Sequence, residues 1–145
     1  MTQSYTAIPS TLQKSRSTIR SWIIEGYVNA QAVIKQGLSE ARIVHFTFDL
    51  WTSPNHRVFL GVVGHWIAAY GHGKLQSTLL GLRRFHGSYT GVNQAEHFWK
   101  VVKQYELETK IGYFTLDNAT NNDTTLIQIA VYLEKIGIEF KPTER

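Results

Sequence analysis

The sequence predicts an α/β domain built on one mixed sheet, and three observations carry the prediction. Apolar residues alternate with period two in three successive stretches between residues 42 and 86, separated by Pro, Asn and Gly breaks. Apolar spacing of three and four residues marks three helical stretches, one before those strands and two after them. A fourth short alternating stretch follows the second helical one, so a helical crossover delivers it and it can run parallel to an earlier strand. The order is β-β-β-α-β-α-(β) with a preceding N-terminal helix, which implies a mixed sheet with helices on its faces.

Residues 1–14 are polar and read as a loose N-terminus. Residues 15–40 form a helical lead-in, with Ile19, Trp22, Ile23, Tyr27, Ala30, Val33 and Ile34 as its apolar stripe and Gly37 as its stop. The domain proper occupies residues 41–145. Its first strand puts Val44, Phe46, Phe48 and Leu50 on one face and Ile43, His45, Thr47 and Asp49 on the other. "TSPNHR" breaks that strand. "VFLGVVGHWIAAY", the turn "GHG" and "KLQSTLLGLRRFH" then complete an antiparallel meander. After "GSYTG" the spacing turns helical through Val92, Ala95, Trp99 and Val102. In the fourth strand, "IGYFTLD", Tyr113, Thr115 and Asp117 share a face opposite Phe114 and Leu116. "NATNNDTT" supplies helix-capping residues, and a helix follows through Leu126, Ile129, Ala130 and Leu133 until Gly137. "IEF" reads as the opening of a fifth strand. The stripes holding Trp22, Tyr27 and Trp99 read as core.

Composition narrows the function classes. A hydrophobic fraction of 43% with 12% aromatics fits a folded domain and not a disordered tail. No apolar run approaches the roughly 20 residues that span a bilayer. The N-terminus lacks a secretory pattern. With no cysteine in the chain, disulfides and thiolate metal sites are excluded. A net charge of +4 is compatible with nucleic acid but does not argue for it strongly.

The chemistry lies in an echo. "HFTFDLWTS" and "YFTLDNATN" both contain Phe-Thr-x-Asp, with Asp49 and Asp117 where each strand runs out. If the first and fourth strands are parallel neighbours, about 4.8 Å apart, both carboxylates emerge at one end of the sheet. Two such anions repel by roughly 4 kcal/mol at 4 Å and need a compensating charge or a shared proton. A hard divalent cation, Mg²⁺ or Mn²⁺, supplies that charge and activates water for phosphoryl transfer. Thr47 and Thr115 share those faces and can hydrogen-bond the carboxylates. An Asp at a strand end is equally ordinary turn chemistry, so spacing leaves both readings open.

"FTFDLWTSPN" followed by "YFTLDNATNND" resembles the catalytic region of hAT-superfamily DNA transposases, whose core is ribonuclease H-like. The signatures stand here as Asp49-Leu50-Trp51-Thr52-Ser53 and Asp117-Asn118-Ala119-Thr120-Asn121-Asn122, and the likeness extends from about Ser15 onward. It implies the N-terminal part of a catalytic core with catalytic and metal-binding roles for Asp49 and Asp117. In the intact relative this core cleaves DNA at transposon ends and joins it to target DNA, in the nucleus, with two metal ions. The family's third acid, a downstream Glu, has no counterpart here, nor does the Cys-x-x-His segment expected near "FKPTER" or an N-terminal zinc finger. The resemblance therefore implies a C-terminally truncated, inactive or weakly active piece.

Trp51 can stack on a base or plug the sheet edge. Arg83, Arg84 and His86 can meet phosphates or form a solvated strand end. Asn118, Asn121, Asn122 and Asp123 read as caps of the following helix. His45 reads as a hydrogen-bonded structural residue, and His65 and His97 show no metal spacing. Apolar surface normally covered by a missing part implies self-association. Two rival readings remain: a non-catalytic, domesticated module for DNA or protein binding, and an unrelated ribonuclease H-like nuclease with a complete site.

Overall fold

Helix α1 (Arg16–Ser39) opens the computed structural model, which describes residues 15–68, 73–85, 89–117 and 121–142. The Ser15 hydroxyl accepts from the Thr18 N–H at 3.2 Å and so caps the helix start. The chain divides into two compact units, Met1–Ile34 and Lys35–Arg145. In the first unit the expected core stripe is solvent-facing: Ile19, Trp22, Ile23 and Tyr27 are all exposed, Ile23 by 67%. Helical spacing specifies a face but not what covers it. Gly37 does not stop α1, which runs two residues further. Lys110 Nζ closes its end by donating to the carbonyls of Leu38 and Ser39 at 2.9 and 2.7 Å.

The second unit is built on a four-stranded sheet of β1 (Val44–Thr52), β2 (Val58–Ile67), β3 (Leu75–Arg84) and β4 (Ile111–Thr115). Spatial order is β3-β2-β1-β4, with β1–β2 and β2–β3 antiparallel and β1–β4 parallel. The meander and the crossover strand thus stand as the alternation predicts. Period-two burial is clear in β1, where Val44, Phe46 and Phe48 are buried while His45 and Thr47 are half-buried and Asp49 exposed. Phe46 and Phe48 meet Phe98 of α2 (Gly91–Gln104) with ring centroids 5.0 and 5.6 Å apart. Helix α3 (Asn121–Glu134) packs beside α2 and buries Leu126, Ile129 and Leu133. The opposite sheet face exposes Leu75, Leu79, Leu82 and Tyr113.

Two elements differ from expectation. The buried stripe of α2 is Gly91, Gln94, Ala95, Phe98, Val101 and Val102, while Val92 is exposed and Trp99 is half-buried against Tyr132 at 5.3 Å. Val92 and Trp99 sit seven residues apart and therefore share a stripe, but the one rotated away from the sheet. "IEF" forms no strand. Phe140 instead sets its ring edge-on to Phe114 at 5.6 Å, which buries apolar surface without a ladder.

The α2–α3 crossing is tight at its N-terminal end. Thr90 caps α2 by accepting from the Asn93 N–H at 3.3 Å, and the buried Thr125 hydroxyl donates to Gln94 Oε1 at 3.0 Å. A β-carbon on Gly91 would stand 2.6 Å from the Asn121 carbonyl oxygen and 2.7 Å from the Thr125 nitrogen. Backbone cannot swing aside as a side-chain tip can. Gly91→Ala is therefore expected to cost about 1–3 kcal/mol in a urea unfolding curve; an unchanged midpoint would refute this close approach.

Candidate metal centre at the strand ends of β1 and β4

The parallel register pairs Phe46 with Phe114 and Thr47 with Thr115. The ladder ends there, and Asp49 and Asp117 each follow the last pair by two residues in their chains. Both carboxylates are exposed. Asp49 is still in β1, opposite Gly61 of β2, whereas Asp117 lies two residues beyond the end of β4.

Asp117 is oriented by α3. The Asn122 side-chain amide donates to its carboxylate Oδ1 at 2.8 Å and to its backbone carbonyl at 2.6 Å. Asn122 is only 5% exposed, so this clamp works where water competes poorly. Its neighbour Asn121 ties the same corner to the loop before α2 by donating to the Tyr89 carbonyl at 2.9 Å. The sequence predicts a helix cap at Asn122, and the structure gives its side chain this second role. Its place in the first turn of the helix that follows the Asp-bearing strand end was the available signal.

The nominated neighbours separate. Thr47 Oγ1 pairs with His65 Nε2 at 3.0 Å, and His65 Nδ1 pairs with Ser77 Oγ at 2.8 Å, which links three strands across the open face. The partner of Thr47 is thus an imidazole, and Thr115 stands exposed beside it on β4. Trp51 is 42% exposed and stacks on Phe59 with centroids 6.1 Å apart. Its indole covers Gly61, whose missing β-carbon would lie 3.0 Å from the ring. Trp51 therefore shares Asp49's face, one cross-strand row along, and is packed on one side and open on the other.

Arg83 and Arg84 do not act together, because adjacent strand residues face opposite ways. Arg83 turns to the helical side and donates to Gln104 of α2 at 2.5 Å. Arg84 is exposed and pairs with Phe59, which places it in the same cross-strand row as Trp51. His86 and Asn118 lie outside the described residues. Among the described residues no group of three or more His, Asp and Glu could hold a metal ion. Away from the site, a hydrogen bond from Lys100 and its charge hold the Glu96 carboxyl below its usual range, on the solvent side of α2.

The donor set suits a hard cation in kind: carboxylate oxygens with one orientation already locked, at an open sheet end. Comparison with known proteins adds the lineage. A Talaromyces stipitatus protein whose name describes it as a transcriptional regulator, tpeD, is 29% identical over 121 residues, covering 83% of this chain and 14% of that protein. Two Zea mays proteins named as the AC and AC9 transposases are each 27% identical over 117 residues, covering 80% of this chain and 14% of theirs. The chain thus spans about one seventh of the length of these curated relatives. The family described as the ZBED1 RNase-like domain matches residues 47–138, which include both Asp49 and Asp117, and over more than half its length the chain therefore belongs to that family, an hAT-type transposase-related domain.

Proposed function

We propose that this domain supplies two carboxylates, Asp49 and Asp117, of a site that holds Mg²⁺ or Mn²⁺ for cleavage and transfer of DNA strands. The observation that carries the reading is the parallel β1–β4 register through Thr47 and Thr115, which supports both acids following at one end of the sheet. The clamp of Asn122 on Asp117 supports it further. When bound, a divalent cation supplies charge for an attacking water or 3′ hydroxyl and for the leaving oxygen. The chain's own residues orient the ligands and flank the DNA. Asn122 fixes one carboxylate, Trp51 offers its open ring face to a base, and Arg84 in the same row offers a cation to a phosphate. Two carboxylates bind such ions weakly, so these 145 residues alone bind the cation without cleaving DNA, and a further acid from outside them completes the site. DNA as partner implies a nuclear location.

Mn²⁺ titration of the chain, followed by the paramagnetic signal of free ion, tests the proposal against Asp49→Asn and Asp117→Asn. Binding that is identical in all three proteins would remove the assignment.

A second reading has its own support in the relative whose name is that of a transcriptional regulator. In it the domain binds DNA or protein without chemistry, and the exposed α1 residues and the open sheet face serve self-association. DNA binding that is indifferent to Mn²⁺ and to both Asp substitutions favours this second reading.

A further inference from the structure

The β1–β4 ladder contains one irregular step, and it sets the face that β4 presents in the approach to Asp117. Between Val44↔Ile111 and Phe46↔Phe114, β1 advances two residues while β4 advances three. The extra residue is a bulge opposite His45. Without it the pairing would continue as Thr47 with Phe114 and Asp49 with Leu116. A one-residue slip turns every later side chain to the other face, so Asp117 would leave the face of Asp49.

A bulge displaces a ladder N–H that needs another acceptor. Here His45 provides it: its Nδ1 accepts from the Tyr113 N–H at 3.0 Å. The imidazole also lies parallel to the Tyr113 ring, with an interplanar angle of 3° and centroids 5.6 Å apart. Gly112 makes room for this arrangement, since a β-carbon there would lie 2.9 Å from His45 Nδ1 and 3.0 Å from Ile43. An acceptor, a stacked ring and a residue without a side chain thus converge on the single step where the register changes.

We infer that His45, with Gly112, is a positioning residue that pins the β4 bulge and so phases Asp117 with Asp49. The inference rests on the reading that these two acids act together, but its test needs no metal. Because the chain has no cysteine, Asp49→Cys/Asp117→Cys carries only two thiols. A disulfide forms between them when their Cα atoms stand roughly 4.4–6.8 Å apart.

The effective concentration of that thiol pair, measured against glutathione, is expected to be high with His45 in place. It should hold within about twofold in His45→Asn, whose side-chain oxygen accepts the same N–H, and fall about tenfold in His45→Leu, the worth of one hydrogen bond. Exchange of the Tyr113 amide proton should quicken in His45→Leu and stay slow in His45→Asn. Should His45→Leu fail to fold, Gly112→Ala displaces the ring and is expected to give the same loss. An effective concentration equal in the His45 and His45→Leu proteins, or in Gly112→Ala, overturns the inference, and so does failure of the parent pair to cross-link. Cross-linking as expected without Mn²⁺ binding by the Asp-bearing chain leaves the positioning role standing and removes the metal reading alone.

Discussion

Phe98→Ala is expected to destabilise the second unit by about 3–5 kcal/mol, the range for emptying a buried aromatic site. Phe98 is fully buried and is one of the residues through which α2 meets the sheet. Its ring centroid stands 5.0 Å from Phe46, 5.6 Å from Phe48 and 5.4 Å from Phe114. The contacts with Phe46 and Phe114 are edge-on or nearly so, geometries that add roughly 0.5–1.5 kcal/mol per pair to the burial term. Collapse cannot refill the gap, because Phe46 and Phe48 belong to a strand paired on both sides. A domain of this size holds about 5–15 kcal/mol in total, so the variant should unfold at much lower urea or fail to accumulate as folded protein. A midpoint within experimental error of the parent would show that α2 does not anchor the sheet as described.

Mn²⁺ affinity is expected to fall in a graded series across three substitutions. Asp49→Asn and Asp117→Asn each leave one carboxylate, and binding should drop to that of a surface acid. Asn122→Leu keeps both carboxylates but removes the Asn122 donor from the Asp117 carboxylate and carbonyl. The expected loss is about 10–100-fold, as for other groups that orient a metal ligand. The order is the informative part. If Asn122→Leu binds as tightly as the parent while both Asp variants fail, the cation does not depend on the observed orientation of Asp117. If all three bind alike, the ion sits elsewhere.

Much of this was legible in the residues themselves. The alternation in "VHFTFDL" assigns the buried and open faces of β1 correctly, because a half-buried strand has no other way to satisfy period two. The helical stretch between β3 and β4 implies a parallel fourth strand, because a crossover of that length is what parallel pairing requires. The stripe of α1 was equally clear and led to the wrong expectation: Trp22 and Tyr27 have helical spacing, yet they face solvent. Arg83 and Arg84 looked like one cluster in the chain and diverge on the sheet. "IEF" has strand composition but no ladder, since pairing depends on a neighbour's edge and not on propensity.

By itself, the sequence determined the period of the four strands, the two Phe-Thr-x-Asp segments and the likeness to hAT transposases. Those are properties of residue type and spacing, which are local. Only the tertiary structure decided that Asn122 clamps Asp117, that Thr47 serves His65, and that β4 takes one extra residue opposite His45. Each joins groups on different elements, and the direction of a side chain there depends on register. A single bulged residue reverses every face that follows it. No count of residues along one strand reveals where its partner inserts one.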